Sequence, residues 1–184
     1  MVKAILDGRK TVTRRIVTPQ PPAGSELFST GLFYVFTPGG ARGPGVNGWT
    51  VRCPFAHVDL LWVRERFRRV SDFRFAYRAD GYSWLHDEIR AGGTLPIWRP
   101  SIFMPRAASR ITLEITGVRV ERLQEISEVD AKAEGCALSY DTERMRGGTW
   151  RGGFRDLWDT INAKRAPWSS NPWVWVIEFK RTAK

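Results

Sequence analysis

Chemistry-bearing side chains crowd the stretch after Gly8, where one lysine, two threonines and three arginines occupy positions 9–15 (Arg9, Lys10, Thr11, Thr13, Arg14, Arg15). That is too polar for a core segment and too ordered for a tail. Arginine makes planar, two-pronged contacts to phosphate and stacks on bases, while Lys10 is long enough to reach over neighbouring threonine hydroxyls. Far along the chain, Glu134 is the other oddity. It sits at the end of a helix expected from Ser127 to Gly135, where a carboxylate faces the negative end of the helix dipole. An acid placed there needs a nearby cation or a functional reason.

The elements around these residues follow from local pattern. Val2, Ile5 and Leu6 recur at helical spacing, and Gly8 supplies the left-handed residue that commonly ends a helix. Thr11 to Val17 is rich in β-branched residues and stops before the Pro19 to Pro22 cluster, which predicts a strand. A period of two sets Thr11, Thr13 and Arg15 on one face and Val12, Arg14 and Ile16 on the other. Read locally, this is equally a basic edge strand with threonines chosen for β propensity. For Glu134, Ser127 with Asp130 three residues on resembles a capping box, and Gly135 closes the helix.

The remaining chain reads as short strands between turns. Leu32 to Phe36 is an apolar island among Pro and Gly, and Trp49 to Cys53 is a second short strand. Asp59 to Glu65 is a stronger strand whose continuous apolar centre predicts burial on both faces. Phe73 to Arg78 alternates like a strand, and Ser83 to Arg90 is expected to be a short helix. Trp98 to Arg106, broken by prolines, is a fixed loop; its aromatics and arginines suit either base stacking or pinning to the core through Trp98, Ile102 and Phe103. Ser109 to Arg122 alternates cleanly apart from Gly117. Tyr140 to Gly153 is expected to be a glycine-rich loop, followed by a helix packed through Phe154, Leu157, Trp158 and Ile161. Trp173 to Phe179 closes with an aromatic face at 173, 175, 177 and 179. The pattern predicts an α+β protein around a mostly antiparallel barrel.

Composition narrows the class. The chain of 184 residues fits one domain, 1–184, with loop-rich insertions at about 19–48 and 66–110. A formal charge of +10 and a pI near 10.3 point to a polyanion, nucleic acid first. Two cysteines, Cys53 and Cys136, make no disulfide framework, and with only His57 and His86 no zinc spacing exists. No metal and no cofactor are expected. Without a membrane-length apolar run or a signal peptide's apolar region, a cytoplasmic protein is expected; oligomeric state is left open.

Ile5 to Arg15 resembles the signature of the ASCH domain family, PUA-like β-barrels in which Gly-x-Lys-x-x-x-x-Arg follows a short helix. The likeness continues in order through Asp59-Leu60-Leu61-Trp62-Val63, Ile111 to Leu123, Ser127 to Glu134 and Trp175 to Lys180, roughly half of the chain. Phage and prophage members of the family share its Arg99-Pro100-Ser101-Ile102 and Ser109-Arg110-Ile111-Thr112 stretches. The resemblance implies a PUA-like barrel and an amidohydrolase that removes an acyl group from N4-acetylcytidine or a related modified cytosine nucleoside. It places the catalytic lysine on Lys10, the nucleophilic threonine on Thr13, the catalytic glutamate on Glu134 and the motif arginine on Arg15. Arg9, Arg14, Arg15, Trp62, Arg64 and Arg99 are assigned to substrate contacts. The alternative, motivated by charge, is an RNA or single-stranded nucleic-acid binding module, with ribonuclease activity as a further option.

Overall fold

The computed structural model describes residues 1–29, 33–38, 48–55, 59–71, 74–81, 97–141 and 146–182. Along the chain run α1 (Val2–Leu6), β1 (Val12–Ile16), β2 (Ser25–Ser29), β3 (Phe33–Pro38), β4 (Trp49–Arg52), β5 (Leu60–Trp62), β6 (Phe67–Ser71) and β7 (Arg74–Tyr77). Then follow β8 (Thr112–Arg122), α2 (Glu128–Ala133), β9 (Ser139–Asp141), β10 (Arg146–Thr149), α3 (Trp150–Asn162) and β11 (Trp173–Arg181).

The centre is a four-stranded antiparallel sheet in the order β1-β11-β8-β5. It curls into a half-barrel, which makes the protein mixed α+β with mostly antiparallel strands and few helices. β11 holds this sheet together, and its composition explains why. Trp173, Trp175, Ile177 and Phe179 face one way as expected, but Val174 and Val176 on the other face are also fully buried. A strand apolar at both parities must be covered on both sides.

On the first side Val12, Val174 and Val176 pack with Leu123, Ile126, Phe154 and Trp158, so α2 and α3 form that layer. On the concave side Trp173, Trp175 and Ile177 meet Ile115, Val120, Phe36 and Val51, beneath the sheet β2-β3-β4. Next to them, Ile5 of α1 packs on Ile111, Leu113 and Phe179. Each such large side chain contributes roughly 1.5–3 kcal/mol through burial. Gly117 lies opposite Glu178, where the register between β8 and β11 slips by a residue; a Cβ at Gly117 would come within 2.9 Å of the Glu178 carboxylate.

Several expectations need correction. β5 is an edge strand, and Leu60 is 61% exposed, so its apolar run is not buried on both faces. Part of the segment read as a loop to Gly153 is helix and strand. β9 and β10 pair as a hairpin, and α3 begins at Trp150 with the Thr149 hydroxyl accepting from Gly152 N. Glycine is required there, because a Cβ on Gly153 would lie 1.9 Å from the Ala137 carbonyl oxygen. α3 buries Phe154 and Trp158, whereas Ile161 is exposed. In the 98–106 loop the buried anchor is Met104, with Ile102 and Phe103 both exposed. The helix expected at Ser83 to Arg90, together with His57 and His86, lies outside the described residues. No helix among the described residues is long and apolar enough to cross a membrane.

Candidate active site

Two left-handed glycines bring the ends of the site together. Gly8, at φ +71°, ends α1 and turns the chain so that Lys10 N donates to Ala4 O at 2.9 Å. Gly135, at φ +75°, ends α2 against that same turn. A Cβ there would sit 2.9 Å from both Ala4 Cβ and Lys10 Cβ, so only glycine allows the approach. Thr11 N then donates to Ala133 O at 2.9 Å, fixing the end of α2 to the start of β1.

This docking buries an ion pair. Lys10 and Glu134 are only 4% and 6% exposed, and Lys10 Nζ donates to Glu134 Oε2 at 2.5 Å. Its other donations go to Glu134 O at 2.9 Å and Val12 O at 2.8 Å, which uses all three ammonium hydrogens. Glu134 Oε1 accepts from Arg14 Nη1 at 3.4 Å. The acid at the helix end is thus held by two cations, which offset the unfavourable dipole.

Arg14 departs from its expected role. Its side chain has no exposure and is engaged in an ion network, at the wall of a cavity of about 250 Å³ that Glu134 also borders. Nε and Nη2 donate to Glu121 Oε1 at 3.0 and 2.5 Å, and Nη2 also to Asp130 Oδ2 at 2.9 Å. Arg119 closes the network by donating to Asp130 at 2.5 Å, to Glu121 at 3.3 Å and to Glu178. Glu121, Asp130 and Arg119 were missed by sequence reasoning as parts of a site. The alternation of Arg119 and Glu121 on the polar face of β8 was the available signal. Asp130 was read only as a capping residue, a position it does occupy, since its N–H donates to Ser127 Oγ.

On the concave side of the sheet a cavity of about 520 Å³ opens between β1 and β5. Lys10, Thr13, Arg15, Trp62 and Arg64 border it, with Ile177 and Phe179 as apolar wall, and among the described residues no carboxylate lines it. Thr13 is half-buried, and its hydroxyl has no hydrogen-bond partner among the described residues. Arg64 stacks on Trp62 with Cζ 4.6 Å from the ring centroid, and Arg15 is exposed at the rim. Glu134 does not line this cavity. It reaches it through Lys10, and opens instead on a smaller cavity of about 250 Å³ across β1, which Thr13 and Arg15 also border.

β1 is an edge, and its pairing makes that edge usable. Thr11 O accepts from Phe179 N and Val17 N donates to Trp173 O, so the odd residues face β11. The peptide groups of Val12, Arg14 and Ile16 therefore point to the open side, where Lys10 Nζ caps the Val12 carbonyl.

Arg9 and Arg99 are not brought to this site. Arg9 is exposed and paired with Asp7 at 3.0 Å. Arg99 is exposed on the far side of β6, its backbone exchanging hydrogen bonds with Phe67 at 2.9 and 3.4 Å. Cys136, buried beside Glu134, has its thiol pushed up to about 11, first by burial and then by the Glu134 charge, against the opposing Lys10 and Arg14. Among the described residues no group of three His, Cys, Asp or Glu is placed to hold a metal.

Chemically, the arrangement offers a hydroxyl unpartnered among the described residues and a lysine hydrogen-bonded to a buried carboxylate, bordering one cationic cavity large enough for one base or nucleoside. Set against known proteins, the chain matches no family model, no curated sequence and no solved structure.

Proposed function

We propose that the protein is an amidohydrolase of the ASCH, PUA-like kind, removing the acyl group from N4-acetylcytidine or a related acylated cytosine. The observation that carries this reading is the shared cavity of Thr13 and Lys10, with Lys10 bonded at 2.5 Å to a buried Glu134. The short helix ahead of a β1 edge strand and the curled antiparallel sheet support the family assignment.

The mechanism follows from the proton inventory. With three donations made, the Lys10 ammonium cannot accept a proton as it stands. It first passes one along the short bond to Glu134 Oε2. The resulting amine turns about its Cε–Nζ bond to aim its lone pair into the cavity, and takes the Thr13 hydroxyl proton as Thr13 Oγ forms a bond to the amide carbonyl carbon. Lys10 then returns that proton to N4 of cytosine as the C–N bond breaks, leaving acyl-threonine and the free amine. Water attacks the ester with Lys10 again as base, releasing the carboxylic acid and restoring Thr13. Arg14 is a positioning residue, holding Oε1 so that Oε2 faces Lys10.

Turnover of N4-acetylcytidine by wild type, Thr13→Ser and Thr13→Ala is the test. Thr13→Ala is expected to lose on the order of 10³-fold or more in kcat, while Thr13→Ser, which keeps the hydroxyl, retains measurable acyl transfer. Deacylation that survives Thr13→Ala would exclude the nucleophile assignment.

A further inference from the structure

Beyond the cavity mouth the protein carries a surface that a free nucleoside does not need. Trp62 has two guanidinium groups near its ring, Arg64 with Cζ at 4.6 Å and Arg106 with Cζ at 5.8 Å. Arg64 Nη1 donates at 3.5 Å to Ile102 O, tying the cavity rim to the turn Ser101–Phe103. On that turn Ile102 and Phe103 are 69% and 67% exposed, and Ile97 just before it is exposed as well.

The exposure belongs to an ordered segment. Phe103 N and Met104 N close the turn onto Pro100 O and Ser101 O, Met104 is buried with Phe67 and Ala108, and the Tyr77 hydroxyl donates to Ala108 O at 2.8 Å. Arg110 clamps the base of the loop to Glu65 and Asp80 and stacks on Tyr77 at 4.0 Å. With Arg110 neutralised in this way, Arg99 and Arg106 have no ion pair among the described residues, and residues 97–113 contain no acid. Apolar side chains held out to solvent between arginines that make no ion pair with the described residues fit a ligand with the opposite pattern, alternating anions and flat apolar faces.

We propose that this surface binds a single-stranded polynucleotide, so that the base entering the cavity is presented within a strand. A neighbouring base lies on Phe103 and Ile102, and the phosphates flanking the target meet Arg64 and Arg106. A duplex does not fit, because a paired base can neither enter the cavity nor offer its face. The inference rests on the amidohydrolase reading only in placing the target base beside Thr13; the strand contact stands without it.

The test is a binding measurement with no turnover in it. Fluorescence anisotropy is read with a labelled ten-nucleotide single strand, as RNA and as DNA, and with the matching duplex, across a salt series. Wild type is expected to bind at least one single strand about tenfold more tightly than the duplex. Arg106→Ala should weaken that binding several-fold and reduce the slope of log affinity on log salt by about 0.7, the share of one phosphate contact on a single strand. Phe103→Ala should weaken it about fivefold or more with the slope unchanged, as lost stacking would. Arg155→Ala, an exposed arginine on α3 remote from the loop, should bind like wild type. All three positions are exposed, so folding is not at stake. Equal affinity for duplex and single strand, variants of 103 and 106 that bind like wild type, or an equal loss in Arg155→Ala would each overturn the proposal. Strand binding that depends on Arg106 and Phe103 in a protein inactive on N4-acetylcytidine would keep it and remove the amidohydrolase reading alone.

Discussion

Lys10 and Glu134 stand 124 positions apart, and each is the reason the other can be buried as an ion. Removing one partner strands a charge in a site from which water is nearly excluded, whereas removing both leaves neutral groups. Lys10→Met and Glu134→Gln are therefore each expected to lower unfolding free energy by about 3–5 kcal/mol. The double variant should lose clearly less than the sum. Urea melts of the four proteins measure this coupling, and strictly additive losses would mean that the pair is not the unit described. Much of this site was legible in sequence: Lys10 and Thr13 through the motif, Glu134 through its awkward place on a helix. Arg14 was not, because a period of two assigns a face without saying what covers it. Its partners Glu121 and Asp130 lie 107 and 116 residues further along.

For the elements, the end of α2 is where local preference and site geometry meet. Gly135 was expected from the helix pattern alone, but its second duty, clearing space for Lys10, depends on a contact with α1 that no local pattern contains. Gly135→Ala combines a left-handed backbone with a Cβ at 2.9 Å from two neighbours. It is expected to cost about 1–3 kcal/mol in a urea melt and to depress turnover more than a comparably destabilising change in the β6–β7 hairpin. Loss of stability without that extra loss of activity would show that Lys10 does not depend on the docking. α3 shows the opposite case. The helix expected from Phe154 is present, but its first turn was read as loop on two adjacent glycines, whose helix penalty is about 1 kcal/mol each; Gly153 is there for its close approach to the Ala137 carbonyl. β5 was overread for a related reason, since an apolar run cannot announce that its strand lies at a sheet edge.

Over the whole molecule, alternation and turn residues sufficed for the antiparallel sheet and for most strands, while layer assignment needed the fold. Cys136 gives this scale a measurable handle. Its thiol, raised from 9.0 to about 11, keeps its proton in the folded state across a range where the unfolded chain releases it. Folded protein then binds more protons than unfolded, so the stability that this group contributes is intact below pH 9 and falls as pH rises toward 11. The loss is on the order of 2 kcal/mol. Urea melts of wild type and Cys136→Ala from pH 8 to 10.5 isolate it as a difference in slope, and parallel profiles would refute the burial argument.

The order of strands also sets a sequence of events in time. β1 carries Thr13 yet pairs in the central sheet only with β11, which follows every other described strand. During synthesis β1 emerges before its partner strand and before Glu134, and waits until β11 threads between β1 and β8. Such distant pairing is slow to form. A chain cut before β11 therefore lacks the only strand that β1 pairs with among the described residues, and the Thr13 side of the cavity forms only once β11 is seated.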